Sequence, residues 1–247
     1  MNVNLELTDH CNLRCTMCSQ SLREEAHGAP HRFMPFDVWS AGVAGLAGMP
    51  DVTLCPHWLG EPTLHPEFDR YVRHAFDENQ DNRRFRHFKL HTNAVILPEE
   101  RARLLVELGG RTDAAPDTFL AVHFSIDAFA AGTYAKVKGA DRRDVVFRNV
   151  ERFLALRGNA RRPVAHLAFV VQDGNTDEVV PFVDHWRARL NDLGRDPVLT
   201  GDWPPMDRDA VYLRRWNTGD QAHADALHAD ACLSVGLQPP PRPAGAF

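Results

Sequence analysis

"NVNLELTDHCNLRCTMCSQ" (2–20) puts three of the chain's five cysteines, Cys11, Cys15 and Cys18, in a loop directly after an apparent strand (2–7). In that strand apolar and polar residues alternate, the period of a half-buried β-strand. "PFDVWSAGVAGLAG" (35–48) then reads as a helix, with Phe36, Trp39, Val43 and Leu46 at helical spacing. The same strand-then-helix order repeats outward from this stretch. Strands are predicted at 51–57, 88–93, 118–127, 163–172 and 197–201, and helices at 65–79, 98–109, 143–158 and 175–194. Pro98 and Gly109 punctuate one helix, and Asn175 followed by Glu178 has the form of a capping box.

Such alternation implies βα units around a parallel sheet. Six units are fewer than the eight of a closed barrel. The expected fold class is therefore α/β, an open or partial (βα)6 barrel over residues 1–201. Residues 202–247 do not continue the pattern, end in "LQPPPRPAGAF", and read as an irregular, Pro-rich tail.

The 247 residues carry 28 basic and 33 acidic side chains, a net charge of −5. No cationic surplus exists to displace counterions from nucleic acid or to hold an acidic membrane. No apolar run is long enough to span a bilayer, and no targeting pattern opens the chain. An odd number of cysteines without a secretion signal favours free thiols or metal ligands in a reducing, cytoplasmic compartment.

The strands have polar inner faces where central parallel strands are normally apolar on both. Thr53, Cys55 and His57 share a face, as do His91 and Asn93, and His123, Ser125 and Asp127. These lie toward C-terminal strand ends, where barrel folds build active sites, and predict a wet cavity there. His91 and His123 are acid–base candidates, or hydrogen-bond within the lumen.

Three readings fit Cys11, Cys15 and Cys18. They are core cysteines on a helix face, ligands of a zinc ion with His10, or ligands of an iron–sulfur cluster. A four-iron cluster normally takes four thiolates, so three leave one iron open to a non-protein ligand.

The spacing C-x3-C-x2-C after a first strand resembles the radical S-adenosylmethionine (radical SAM) superfamily. That resemblance implies that Cys11, Cys15 and Cys18 hold a [4Fe–4S] cluster. The open iron would chelate S-adenosylmethionine, and reduction would release a 5′-deoxyadenosyl radical that abstracts a substrate hydrogen. "WLGEPTLHPEF" (58–68) resembles the family's Gly-Glu-Pro segment, with Gly60 and Pro62 shaping the turn and Glu61 accepting from the cofactor ammonium. "LHTNA" (90–94) and "HFSIDAFAAGTYAKVKG" (123–139) resemble later family elements, placing Asn93, Ser125 and Lys138 on the cofactor. Met17 stands where relatives more often have an aromatic residue over the adenine. Cys55 is either a buried core residue or, as in epimerising relatives, a hydrogen-atom donor.

"AVYLRRWNTGD" (210–220), followed by Cys232, resembles the lead-in to a SPASM-type extension. Such extensions hold auxiliary clusters on several cysteines, and a single one here implies a short or truncated form. The start of the chain at its first strand favours a small sugar-like or aminoglycoside-like substrate over a ribosomally made peptide. The alternative is a peptide-modifying enzyme or a catalytically impaired cluster-binding relative. A flavodoxin- or ferredoxin-type electron donor is implied as partner.

Overall fold

The computed structural model describes residues 1–21, 32–49, 51–112 and 118–241. Strands β1 (Asn2–Asn4), β2 (Thr53–Cys55), β3 (His87–Thr92), β4 (Phe119–Ser125), β5 (Val164–Val171), β6 (Val198–Thr200) and β7 (Ala210–Arg215) form one sheet. Its order is β1-β2-β3-β4-β5-β7-β6, every pair is parallel, and β1 and β6 are its edges. The α/β partial barrel expected from the alternation is what forms.

Helices α1 (Phe36–Ala44), α2 (Phe68–Asn82), α3 (Glu99–Arg111), α5 (Arg143–Arg157) and α6 (Val179–Asp192) occupy the predicted places. They cover the outer face of the sheet. Leu54, Phe88, Leu90, Val122, Phe124, Leu167 and Phe169 point into that layer and meet Tyr71, Leu105, Phe153 and Phe182 in one continuous core. Alternate residues on the same strands turn to the lumen, whose lower part is closed by Phe119, Ala121 and Val164.

Three departures from the sequence reading concern the site. Residues 131–138 form a further helix, α4 (Ala131–Lys138), which stops at Gly139 with φ +72°. The predicted capping box does not form. Asn175 donates instead to the Asp127 and Val170 carbonyls, and Glu178 accepts from Phe129 and Ala130 N–H, so both side chains secure the loop after β4. The tail read as irregular contains β7 and α7 (Gln221–Ser234), and β7, lying between β5 and β6, is the strand paired with β5. A short strand with no helix between it and its predecessor breaks the βα rhythm, so periodicity did not reveal it. Burial of Val211 and Leu213 against the outer core holds it in the sheet.

Candidate functional site

The cysteine loop has little secondary structure of its own and is held from several sides. Arg14 N–H donates to Lys138 O at 3.1 Å and Thr16 N–H to Val137 O at 2.9 Å, tying the loop to the end of α4. The Thr16 hydroxyl donates to Gln172 Oε1 after β5 at 3.0 Å. On the opposite side Glu61 N–H donates to His10 O at 2.8 Å. Glu6 Oε1 accepts from Leu59 and Gly60 N–H at 2.5 and 2.8 Å. That role of Glu6 was not read from the sequence, although Asn2, Asn4 and Glu6 form the polar half of the first alternation.

Gly60 is where the two loops touch. A Cβ built there would lie 2.0 Å from Thr8 O and 2.9 Å from His10 O. These are backbone atoms of the cysteine loop, so relief requires the loop itself to move. Gly60→Ala is therefore expected to lower iron and sulfide content after anaerobic reconstitution at least tenfold, a cost of about 1.4 kcal/mol. Iron analysis showing a full complement in that variant would remove Gly60 from the site.

The thiols of Cys11, Cys15 and Cys18 line one cavity of about 420 Å³ at the C-terminal end of the barrel. Met17, Gly60, Glu61, Asn93, Ser125 and Lys138 line it as well. Pro62 does not; it begins the 3₁₀ turn Pro62–Leu64, where its fixed φ sets the turn. Cys55 does not either. It is buried, and its thiol makes a long 3.9 Å contact with the Thr53 carbonyl of its own strand.

Two predicted cofactor contacts turn out to be largely engaged with the protein. Glu61 Oε1 accepts from Thr63 N–H, the Thr63 hydroxyl and the Thr92 hydroxyl at 3.2, 2.7 and 2.8 Å. Its Oε2 accepts from Asn93 N–H at 2.6 Å. Burial pushes its pKa up against these donors. A carboxylate has about four acceptor sites, so Glu61 chiefly clamps the 58–64 turn onto the end of β3. Lys138 Nζ lies 2.6 Å from Asp127 Oδ2 and 3.0 Å from Ser125 O, with both charged side chains buried. Burial pushes the Lys138 pKa down, but the Asp127 carboxylate more than offsets this and holds the ammonium above its ordinary range. Asp127 also accepts Val170 N–H at 2.8 Å from a left-handed conformation, φ +63°. Asn93 Nδ2 donates to Asn12 Oδ1 at 2.8 Å and lies 3.9 Å from Cys11 Sγ, so it buttresses the cysteine loop.

Below the loop, β3, β4 and β5 contribute one histidine each, and the turn after β2 contributes His57, to a single row. His91 pairs in register with His123, and His123 with His166. The rings of His57 and His91 stack at 4.1 Å and those of His91 and His123 at 3.9 Å, while His166 meets His123 edge-on at 6.1 Å. Burial pushes His57 down to about 3 and His166 to about 4, and holds His91 and His123 well below the ordinary value. All four rings are therefore neutral near pH 7. His123 is wholly buried and neither ring nitrogen has a hydrogen-bond partner among the described residues. Each unpartnered polar atom costs about 1–3 kcal/mol. Sequence parity had indicated that His57, His91 and His123 face inward, but not that they stack or that His166 extends the row.

The donor set fits a four-iron cluster with one open iron. Three thiols share the cavity, and the other two cysteines, Cys55 and Cys232, are buried away from it. Among the described residues no three His, Cys, Asp or Glu side chains converge on a single metal ion, as the zinc reading requires; a cluster spreads its thiolates over separate irons. Burial pushes the Cys11 thiol up to about 12 and raises that of Cys15, so metal charge is what would deprotonate them.

The profile of the Radical SAM superfamily matches residues 5–185. A curated cofactor-modifying protein for tungsten-containing aldehyde ferredoxin oxidoreductase from Pyrococcus furiosus is 25% identical over 210 residues, 84% of this chain and 52% of its own. A GTP 3′,8-cyclase from Chlorobaculum tepidum is 29% identical over 219 residues, 88% of this chain and 56% of its own. The chain thus spans about half the length of these relatives. Among solved structures, native anSMEcpe with bound AdoMet superposes with a TM-score of 0.65 at 16% identity, over 95% of this chain and 60% of that one. The similarity in structure establishes the fold.

Proposed function

The chain belongs to the radical SAM superfamily, and from that premise we propose that Cys11, Cys15 and Cys18 hold a [4Fe–4S] cluster whose open iron takes S-adenosylmethionine. The observation that carries this reading is the arrival of all three thiols, and of the elements organised by Glu61, at one cavity. A volume of about 420 Å³ suits a small cofactor. When bound and reduced, the group supplies one-electron cleavage of the sulfonium to a 5′-deoxyadenosyl radical.

The chain's own residues bind and orient. Gly60 gives the closest approach of backbone to the cysteine loop, and the Met17 thioether packs on the adenine face, a soft contact. Asn93 and the Ser125 hydroxyl supply polar contacts to the cofactor. Glu61 and the Asp127–Lys138 pair act as positioning residues, because their hydrogen-bonding capacity is mostly committed to the protein. Cys55, lying off the cavity, packs the lumen; product formation undiminished in Cys55→Ala is the outcome this implies.

The proposed substrate is a small polar molecule, with a flavodoxin- or ferredoxin-type protein delivering the electron. No helix of the described residues is long and apolar enough to cross a membrane, and we place the chemistry in the cytoplasm. A second reading, modification of a peptide, draws on the PqqA peptide cyclase of Rhodopseudomonas palustris, 34% identical over 108 residues, 43% of this chain and 26% of its own.

The test is 5′-deoxyadenosine release after anaerobic reconstitution with a strong reductant and S-adenosylmethionine. Release is expected from the native chain and not from a Cys11→Ala, Cys15→Ala, Cys18→Ala triple variant. A well-formed cluster that yields no 5′-deoxyadenosine would refute the enzymatic reading.

A further inference from the structure

Arg214 of β7 lines the cavity, yet among the described residues it enters no ion pair; its guanidinium lies 5.6 Å from the ring of Trp203. Lys89, two residues before His91, does not line the cavity but places its Nζ 4.3 Å over the same ring. The other charges on the cavity wall are accounted for. Lys138 is paired with Asp127, Arg215 with Asp225 at 3.5 Å, and Glu61 already accepts four bonds. Among the described residues Arg214 is the cation of this wall left without a carboxylate partner.

Hydrogen-bond donors stand beside it. His57 Nδ1 accepts the main-chain N–H of His91 at 3.2 Å, so the neutral ring carries its proton on Nε2. His91 Nε2 is buried without a partner, and behind it His123 is wholly buried with neither nitrogen partnered. An unpaired guanidinium, the Nε2–H of His57 and the unpartnered Nε2 of His91 together match one kind of guest. Arginine in particular presents a planar fork to carboxylate or phosphate oxygens.

We propose that this end of the cavity is a subsite for an anionic oxygen group of the substrate, a carboxylate or a phosphate, held by Arg214 and by the imidazoles of His57 and His91. An acid or phosphate ester fits it, and a polycationic aminoglycoside is repelled. The inference rests on the proposed function only in calling the guest a substrate; the anion site stands on its own geometry.

The test follows histidine ¹⁵N resonances of the reconstituted protein, with the cluster oxidised, during titration with inorganic phosphate and separately with acetate. Ionic strength is matched with chloride, and each titration is run with and without saturating S-adenosylmethionine. Saturable shifts at His57 and His91 are expected with at least one anion in both conditions, and Arg214→Gln should weaken binding at least tenfold. No saturable shift with either anion overturns the proposal. So does a shift that S-adenosylmethionine abolishes, which would assign Arg214 to the cofactor's own carboxylate, or undiminished binding in a folded Arg214→Gln variant. Should that variant fail to fold, Arg214→Lys, which keeps the charge and loses the fork, takes its place with weakened binding expected. The titration needs no turnover, so a protein that binds phosphate but releases no 5′-deoxyadenosine fails the functional reading and leaves this one standing.

Discussion

Acidification to about pH 5 is expected to unfold the protein, because the histidine row cannot accept protons where it lies. In the folded chain burial holds His57 at about 3 and His166 at about 4, with His91 and His123 also well below their ordinary value. Unfolded, all four titrate near about 6.5. The unfolded state therefore binds more protons at acid pH, so stability present above about 6.5 is lost as pH falls toward about 4. Each histidine contributes ~1.4 kcal/mol per pH unit once this difference is fully developed. Four together remove about 5 kcal/mol per unit, against a total domain stability of about 5–15 kcal/mol. Urea unfolding at a series of pH values between about 7.5 and 6 measures the slope. His123→Phe keeps an aromatic ring in the stack and should lower that slope by about three-quarters of a proton at about pH 6, where the unfolded histidine is mostly protonated. Because loss of cluster affects both proteins alike, the difference between them isolates the row. Identical slopes in the two would rule out His123 as a contributor.

Removing the carboxylate of Asp127 is the second large effect. Asp127→Ala leaves the Lys138 ammonium buried without its counter-charge and frees the Val170 N–H. Breaking one side of a buried pair costs about 3–5 kcal/mol, and equilibrium unfolding in urea should show a loss in that range. The same change loosens the cysteine loop, since Arg14 and Thr16 are bonded to the carbonyls of Lys138 and Val137. Asp127→Ala with Lys138→Met removes both charges and should recover most of the stability. A double variant no more stable than the single one would mean that the pairing is not what Asp127 contributes. Cluster content read on both variants then separates loop anchoring from global stability.

The two effects share a cause. This barrel's lumen is polar where a parallel sheet is ordinarily apolar, and each polar group in it is paired, neutralised by burial, or left facing the cavity. Asp127 and Lys138 are paired, the histidine row is held neutral, and Arg214 is left unpaired.

Local order along the chain determined much of this. Alternation of strand and helix patterns was enough for an α/β partial barrel, and C-x3-C-x2-C after the first strand was enough to mark the loop at 11–18. Strand parity placed His57, His91, His123 and Ser125 on the inner face, because neighbouring residues on a strand point opposite ways whatever the strand packs against. Register across strands was not contained in any of these local signals. That His57, His91 and His123 stack, with His166 meeting the last edge-on, depends on how β3, β4 and β5 are offset and on where the turn after β2 places His57, which packing of the outer core sets. The place of β7 beside β5 likewise follows from burial of Val211 and Leu213 rather than from chain order. It is this placement that brings Arg214 to the cavity. The roles of Glu61 and Lys138 turned on the same distinction. A motif specifies that a charged residue stands at a position, but only the fold specifies whether a donor or a counter-charge already occupies it. Thr63, Thr92, Asn93 and Asp127 fill that place here, since a carboxylate or an ammonium taken out of water must be met by some partner, and those supplied by the fold lie within hydrogen-bonding distance.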